Sequence, residues 1–388
     1  MGDTPLMRIG LIVHHELDRH SGAPGLTMRL DESFRRQGHE CVVFSYDNLP
    51  TRRLASLAPT LFAAYLLSSR RTRQLRDVDV IDATTGDGWL LYARLRRRRN
   101  RPALVTRSHG LEHAVVAATR REAASGHIRL RRRYFLYSAG WRLLEVTRSI
   151  KQADVVLLSN QADRMYVIDR MDVDPKRCVV FRNGVPAEFL ALAPPEETAV
   201  DETLRIAQVG TFIERKGIDY SVPAYIELLR ARPHLEIGFI GTGVDDVAVL
   251  ARFPPDVRQR VRVVPRYEHE TLPGLLSDYQ ILVLPSLAEG VPVCLAEAMA
   301  CGLAPVVTAI PGSTEIVESE RNGLTVPVAD TASIVAALGR LDDDRTLLHR
   351  LRVAAHGDAQ SYGWDRVAAE QISYYESALA LKGGDQQP

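Results

Sequence analysis

Cysteine is scarce in this chain of 388 residues: there are four, Cys41, Cys178, Cys294 and Cys301, and no CxxC pair. Their spacing fits no usual zinc pattern, and a reduced, cytoplasmic protein is the simplest expectation. Charge of one sign is also missing. The formal net charge is +1, so nothing in the overall balance calls for nucleic acid as a partner. No long apolar run exists. The longest uncharged stretch, 54–69, is too short to cross a bilayer and contains Pro59; a buried or interfacial helix is expected there. The start, MGDTPL, leads directly into a strand-like run, without the apolar region of a signal peptide. What remains is ordinary for a soluble globular chain of two or three domains, with 46% hydrophobic and 25% charged residues.

Short apolar runs alternate with longer helical patterns. Strands are expected at 8–13, 41–45, 78–83, 103–106, 155–159 and 179–181, then at 205–209, 236–240, 261–264, 281–284 and 305–308. Such alternation implies parallel sheets with right-handed crossovers. The segment 191–202, ALAPPEETAVDE, is rich in proline and acid and reads as a linker. The expectation is therefore α/β: an N-terminal domain over 1–190, a C-terminal domain over 203–360, and a last helix over 361–388. Ligands of doubly wound sheets sit beyond the carboxyl ends of the strands, and a cleft between two such domains is the default active site.

The richest stretch is 286–302, SLAEGVPVCLAEAMACG. The apolar run before it suits a buried strand. Pro292 suits the first position of a helix, and Gly302 a left-handed residue ending it. Glu289 then lies in a strand-to-helix loop and Glu297 just over a turn into the helix. Free N–H groups at a helix start attract phosphate oxygens, and each carboxylate can accept hydroxyl hydrogen bonds. Diphosphate in the middle with a sugar at either side is the shape of a nucleotide sugar. Arg215 and Lys216, before Gly217, put two cations at another strand-to-helix turn. They suit a diphosphate whose negative charge grows as its bond to the sugar breaks.

This pattern, Glu289-x7-Glu297 within EGVPVCLAEAMACG, resembles the C-terminal donor motif of retaining glycosyltransferases of family four, whose fold is the two-domain GT-B. VGTFIERKGID (209–219), FRNGVPAEF (181–189), ADVVLLSN (153–160) and PVVTAIPGSTEIV (305–317) resemble further segments of that family. The resemblance is strong over about 150–330 and weak before about residue 100. It implies transfer of a hexose-type sugar from a nucleotide-diphosphate sugar to an acceptor, with retention of configuration and no metal cofactor. The acceptor is left open among lipid-linked glycan, polysaccharide and small molecule. Lys216 is placed on the diphosphate, Glu289 on the hexose and Glu297 on the ribose. The backbone N–H groups of Gly290, Val291, Val293 and Cys294 face the distal phosphate. Many members carry an arginine after the strand glycine. Here Thr211 stands there, and Arg215 is expected to supply the guanidinium.

In VTRSHGLEH, His109 resembles the N-domain histidine that faces donor sugar and acceptor; His113 and Arg107 are secondary candidates. Gly22 and Gly25 occupy the glycine-rich loop after the first strand, where backbone could approach the diphosphate, although the family's adjacent glycine pair is absent. The same loop holds His14, His15, His20, Glu16 and Asp18, in no standard metal spacing. Gly241 in GFIGTGVDD and Tyr267 in VPRYEHE are expected beside the nucleotide. Two arginine runs, 94–101 and 129–133, read either as a solvated surface or as a peripheral membrane contact. A nucleotide-sugar epimerase, a non-catalytic partner subunit and a nicotinamide enzyme are the rival readings. The broken glycine pattern at Asp246 speaks against the last.

Overall fold

The computed structural model describes residues 6–19, 22–49, 58–68, 73–75, 77–126, 130, 132–197 and 203–384. The chain divides into two compact units. The first is the chain up to Gly184 together with the helix Trp364–Gly384; the second runs from Val185 to Gly363.

The first unit is built on a six-stranded parallel sheet: β1 (Arg8–Ile12), β2 (Glu40–Phe44), β3 (Val80–Thr84), β4 (Ala103–Ser108), β5 (Val155–Leu158) and β6 (Cys178–Val180), in the order β2-β1-β3-β4-β5-β6. The second carries β7 (Leu204–Val209), β8 (Leu235–Ile240), β9 (Val261–Val264), β10 (Ile281–Leu284), β11 (Ala304–Thr308) and β12 (Leu324–Val326), in the order β12-β11-β10-β7-β8-β9. The central strands are apolar on both faces and buried throughout, as VVLL in β5 and ILVL in β10 show. That is what helices covering both sides of a parallel sheet require. Strand order reverses between β1 and β3 in the first unit and between β7 and β10 in the second. Doubly wound folds bind ligands at those two points.

The segment read as a linker lies in the second unit, with 198–202 outside the described residues. The final helix packs on β4 and β5 of the first unit. Its fully buried Tyr375 donates to Asp82 Oδ2 (2.6 Å), and Gly184 leaves room for the Trp364 indole. The uncharged run expected as a helix forms one at Ala58–Ser68; residues 50–57 and 69 lie outside the described residues. Among the described residues no helix is long and apolar enough to cross a membrane.

Candidate active site

In the second unit the turn after β7 and the loop after β10 meet at the strand-order reversal. Lys216 closes a short 3-10 turn, Glu214–Lys216. Gly217 follows with φ +74°, and a Cβ there would lie 1.9 Å from the Pro285 carbonyl oxygen. Only glycine permits both that conformation and that approach. The contact draws the two loops together, and Leu287 N donates to Arg215 O at 2.9 Å. Glu289 Oε1 accepts from Lys216 Nζ (2.5 Å), Arg215 Nη1 (3.0 Å) and Ser286 Oγ (3.3 Å). Two cations just ahead of the helix Ile218–Ala231 would oppose its dipole unless an anion were present. Glu289 is that anion in the free protein.

Gly312, in the short helix Pro311–Thr314 after β11, lets the Gly290 carbonyl of this loop pack against it, since a Cβ there would overlap it at 1.4 Å. The helix begins at Val293 with Pro292 as its N-cap, one residue earlier in role than its sequence position suggests. Proline needs no N–H at either place. Leu295 N reaches Pro292 O (3.1 Å), leaving the N–H groups of Val293 and Cys294 at the open end. The helix closes on Gly302, φ +76°. Gly302 N bonds Met299 O (2.9 Å) and Leu303 N bonds Ala298 O (3.1 Å), a Schellman end. Burial pushes the Cys294 thiol up to about 12, which suits a packing residue rather than a nucleophile. Glu297 is buried, and its Oε1 pairs with His269 Nε2 at 2.7 Å. Sequence reading missed His269. The only sign of it was its place two residues after Tyr267. Gly241 lies against the half-buried Tyr267 ring, whose phenol is pushed up by burial. Thr211 is exposed next to Gly243. Arg215, Lys216, Glu289, Gly290 and the helix start are thus gathered in one place, with Thr211, Gly241 and Tyr267 at the ends of the adjoining strands.

The first unit also concentrates its polar residues at its strand-order reversal. His14, after β1, meets Asp87, in the turn after β3: Nδ1 lies 2.8 Å from Asp87 Oδ2 and 3.1 Å from Thr84 Oγ1. Arg142 joins them, 3.7 Å from Asp87, 3.6 Å from Glu112 and 3.3 Å from Glu145. Its Nη2 donates to Thr85 Oγ1 at 2.8 Å. Burial raises the Asp87 carboxyl, but contact with His14, Arg142 and Thr84 brings it below its usual range. Burial raises Glu112 and Glu145. Sequence reading weighed His14 only as part of a metal cluster and missed Asp87, Glu112, Arg142 and Glu145. The one local signal was the glycine-flanked Asp87 in TTGDG, directly after a strand.

His109 follows β4. Its ring packs edge-on to Phe181 (5.8 Å between centroids), and both ring nitrogens are buried without a hydrogen-bond partner. Burial, then Arg107 and His14, push its pKa down to about 3, so it stands neutral. Other expectations are corrected. Gly22 and Gly25 do not precede a helix but form the first turn of Gly22–Arg36, and Gly25 makes room for the Arg19 carbonyl. Pro24 is compatible with that turn, so the helix starts sooner than the glycines imply. Arg107 is buried with Asp82, Gln371 (2.6 Å) and Tyr375 (3.2 Å), which makes it a packing residue. His113 bonds Thr147 Oγ1 at 3.2 Å. Part of the first arginine run is structural too: Arg101 grips Asp154 at 2.6 and 2.7 Å and Arg96 reaches it at 3.1 Å. Arg129 and Arg131 of the second run, like His20, lie outside the described residues. Among the described residues no group of His, Cys, Asp and Glu is placed to hold a metal ion.

Two doubly wound parallel sheets, the second with a cation-bearing turn against a strand-loop-helix at its reversal point, define a GT-B protein. Comparison with known proteins agrees. A family model described as Glycosyl transferases group 1 matches residues 203–344, and one described as Glycosyltransferase Family 4 matches 21–189. The chain belongs to the family 4, group 1 glycosyltransferases. It is 25% identical over 260 residues to D-inositol 3-phosphate glycosyltransferase of Salinispora tropica, covering 62% of this chain and 54% of that protein. The chain thus spans about half the length of such curated relatives. In fold it is similar to sucrose-phosphate synthase of Thermosynechococcus elongatus (TM-score 0.75, 19% identity, 96% of this chain and 99% of that one). It is similar also to Anabaena HepE in complex with UDP-glucose (TM-score 0.67, 17% identity, 95% and 98%).

Proposed function

We propose that this protein transfers a hexose-type sugar from a nucleotide-diphosphate sugar to a hydroxyl acceptor, with retention of configuration. The observation that carries this reading is the convergence of Lys216, Arg215 and Glu289 beside the open N-terminus of the helix Val293–Ala300. In the free protein Glu289 occupies the cations. A carboxylate offers about four lone-pair sites, so it can keep a cation and still accept hexose hydroxyls. The diphosphate then takes the guanidinium of Arg215, the ammonium of Lys216 and the N–H groups of Val293 and Cys294. As the sugar–phosphate bond lengthens, negative charge grows where these donors are already oriented, and their hold strengthens in the transition state.

Glu297, oriented by His269, receives the ribose hydroxyls, while Tyr267 and Gly241 border the base. Thr211 adds no charge, so Arg215 carries the guanidinium's work. His109, neutral and with both ring nitrogens unpartnered, hydrogen-bonds a sugar hydroxyl in the first unit. No protein carboxylate forms a bond to the sugar. The departing diphosphate accepts the acceptor proton on the face that the new bond occupies, which gives retention. Because side chains and a helix end meet the diphosphate charge, no divalent metal is required. HepE, of the same fold, is seen with UDP-glucose, which recommends uridine donors for the first trial. The protein works on the cytoplasmic side in making a glycan or glycoconjugate. The exposed Phe135, Leu136, Tyr137 and Trp141, close to the second arginine run, give it a peripheral hold on the membrane.

The test is a product analysis. The chain is incubated with a panel of nucleotide sugars and candidate hydroxyl acceptors, and products are read by mass spectrometry and by anomeric proton couplings. A glycoside with the donor's anomeric configuration supports the reading. Donor altered without any acceptor, giving an epimer and no glycoside, contradicts it, and so does an inverted glycoside.

A further inference from the structure

The second sheet has another polar end, opposite the one that carries Lys216. Arg205 and Glu236 are the second residues of β7 and β8 and lie in register with each other; Gly238 lies in register with Arg262 of β9. Side chains alternate along a strand, so Arg205, Glu236, Gly238 and Arg262 share one face of the sheet. The residues beside them, Ile206, Ile237 and Val261, turn to the other face and into its apolar core. The inner part of the polar face is covered by Leu272, Leu276 and Tyr279, from the short helix Leu272–Leu276 and the turn that follows it. Tyr279 lies across Gly238, where a Cβ would meet its hydroxyl at 2.1 Å. Outside that cover a cavity of about 340 Å³ remains, with Arg205, Glu236, Gln259, Arg260, Arg262 and Tyr279 as its polar lining.

Three guanidiniums and one carboxylate line this cavity, so its balance is positive. The three are not equivalent. Arg260 serves the chain itself: it donates to the carbonyls of Leu229, Arg232 (3.0 Å) and Leu235 (3.4 Å), around the end of the helix Ile218–Ala231. Arg205 gives its Nε to Glu236 Oε2 (2.8 Å), which leaves its two terminal nitrogens. Arg262 is exposed and, among the described residues, makes no hydrogen bond or ion pair. Both Arg205 and Arg262 act on the Tyr279 phenol, so the two share one neighbourhood. Asp278 acts on Arg205 and Tyr279 as well, but it is exposed and does not line the cavity. Guanidinium forks match phosphate oxygens through paired N–H donors. Around them, Glu236 keeps acceptor sites beyond its bond to Arg205, Gln259 has its amide oxygen left after donating to Asp256 O (3.0 Å), and Tyr279 brings a phenol. These are groups that meet hydroxyls. The volume falls within the roughly 300–1,000 Å³ of small-molecule sites.

We propose that the cavity at the amino ends of β7, β8 and β9 is a second ligand site, which takes a small phosphate-bearing anion: a phosphate monoester of a polyhydroxyl compound, or phosphate itself. Arg262 and Arg205 hold the phosphate, and Glu236, Gln259 and Tyr279 meet the hydroxyls. The cation-bearing turn with Lys216 follows the carboxyl end of β7. A strand of this length spans about 20 Å, so the two sites are separate and can be filled together. The inference is independent of the donor reading, because it needs only the cavity and the charges that line it.

The experiment is a calorimetric titration of the whole chain with glucose 6-phosphate, inorganic phosphate and glucose, at low salt because the guanidiniums are solvated. The native chain, Arg262→Gln and Lys216→Ala are compared. At least one phosphate probe is expected to bind the native chain one-to-one. Arg262→Gln should weaken it about tenfold or more, Lys216→Ala should leave it unchanged, and glucose should bind at least about tenfold more weakly than its phosphate. The ester ahead of phosphate identifies a sugar phosphate as the ligand class, and phosphate equal or ahead identifies free phosphate; either upholds the site. Binding of neither phosphate probe overturns the proposal. So does glucose binding as well as its phosphate, or Arg262→Gln binding like the native chain. Loss of binding in Lys216→Ala overturns it too, because the phosphate would then sit at the other end of the sheet. Arg262 is exposed and unpaired, so Arg262→Gln should keep the native melting temperature; Arg262→Glu, which reverses the charge, is the second variant and should abolish binding. UDP titrated in parallel should depend on Lys216 and not on Arg262. Its failure to bind counts against the donor reading and leaves this site standing.

Discussion

The two units use the same device with opposite charge. Each is a doubly wound parallel sheet, and each gathers its polar side chains where strand order reverses, β1/β3 in the first and β7/β10 in the second. In the second, two cations share one carboxylate beside a helix N-terminus. In the first, three carboxylates share one guanidinium. Topology determines where a ligand can sit, and the side chains hung on that position determine which ligand it is. A site of surplus positive charge suits the diphosphate of a donor.

The contrast can be broken most forcefully at Arg142. Arg142→Met removes the guanidinium shared by Asp87, Glu112 and the buried Glu145, and loss of one partner of a buried ion pair typically costs about 3–5 kcal/mol. Denaturant melts should show that loss in the first unit. A change below about 1 kcal/mol would mean that the carboxylates are not held against their repulsion by this residue. At the second site, Lys216→Ala should lower turnover by roughly 10²-fold or more while the melting temperature stays close to native. Steady-state kinetics with whichever nucleotide sugar the chain accepts measures this, and a near-native rate would remove Lys216 from the chemistry.

A smaller effect sharpens the picture of the first unit. His109 has a folded-state pKa near 3 against an ordinary 6.5, so the unfolded chain binds the extra proton first. Its contribution to stability is complete above pH 6.5 and is lost as pH falls from 6.5 toward 3, by at most about 1.4 kcal/mol for each pH unit. The native chain minus His109→Asn should show that slope in chemical melts. A flat difference would place the imidazole in water. The smallest expected effect is none: chelation of divalent metals should leave the transfer rate unchanged, because side chains and a helix end answer the diphosphate. A rate that collapses with chelator and returns with magnesium would contradict that.

The strands of both sheets were legible because buried parallel strands are short apolar runs. The exception is β12, Leu324–Val326. Three residues between Gly323 and Pro327 at a sheet edge are too few to show a period. The second site was legible because its parts lie in two contiguous segments, and Gly302 could be read from what a helix end requires. The first site was not. His14, Asp87, Glu112 and Arg142 come from four separate segments with no fixed spacing, and only the crossovers bring them together. The glycine loop misled for a local reason: Gly22 and Gly25 look like a phosphate-binding turn, but the helix already begins at Gly22. In the same way, an arginine run looks like a uniform surface until Asp154 turns out to bury Arg101.

The account depends most on the second unit binding a nucleoside diphosphate through its paired cations. Calorimetric titration of a set of nucleoside diphosphates into the native chain and into Lys216→Ala tests this directly. We predict saturable one-to-one binding of at least one of them to the native chain, weakened about tenfold or more by the substitution. Binding of none of them, or equal binding by both chains, would contradict it.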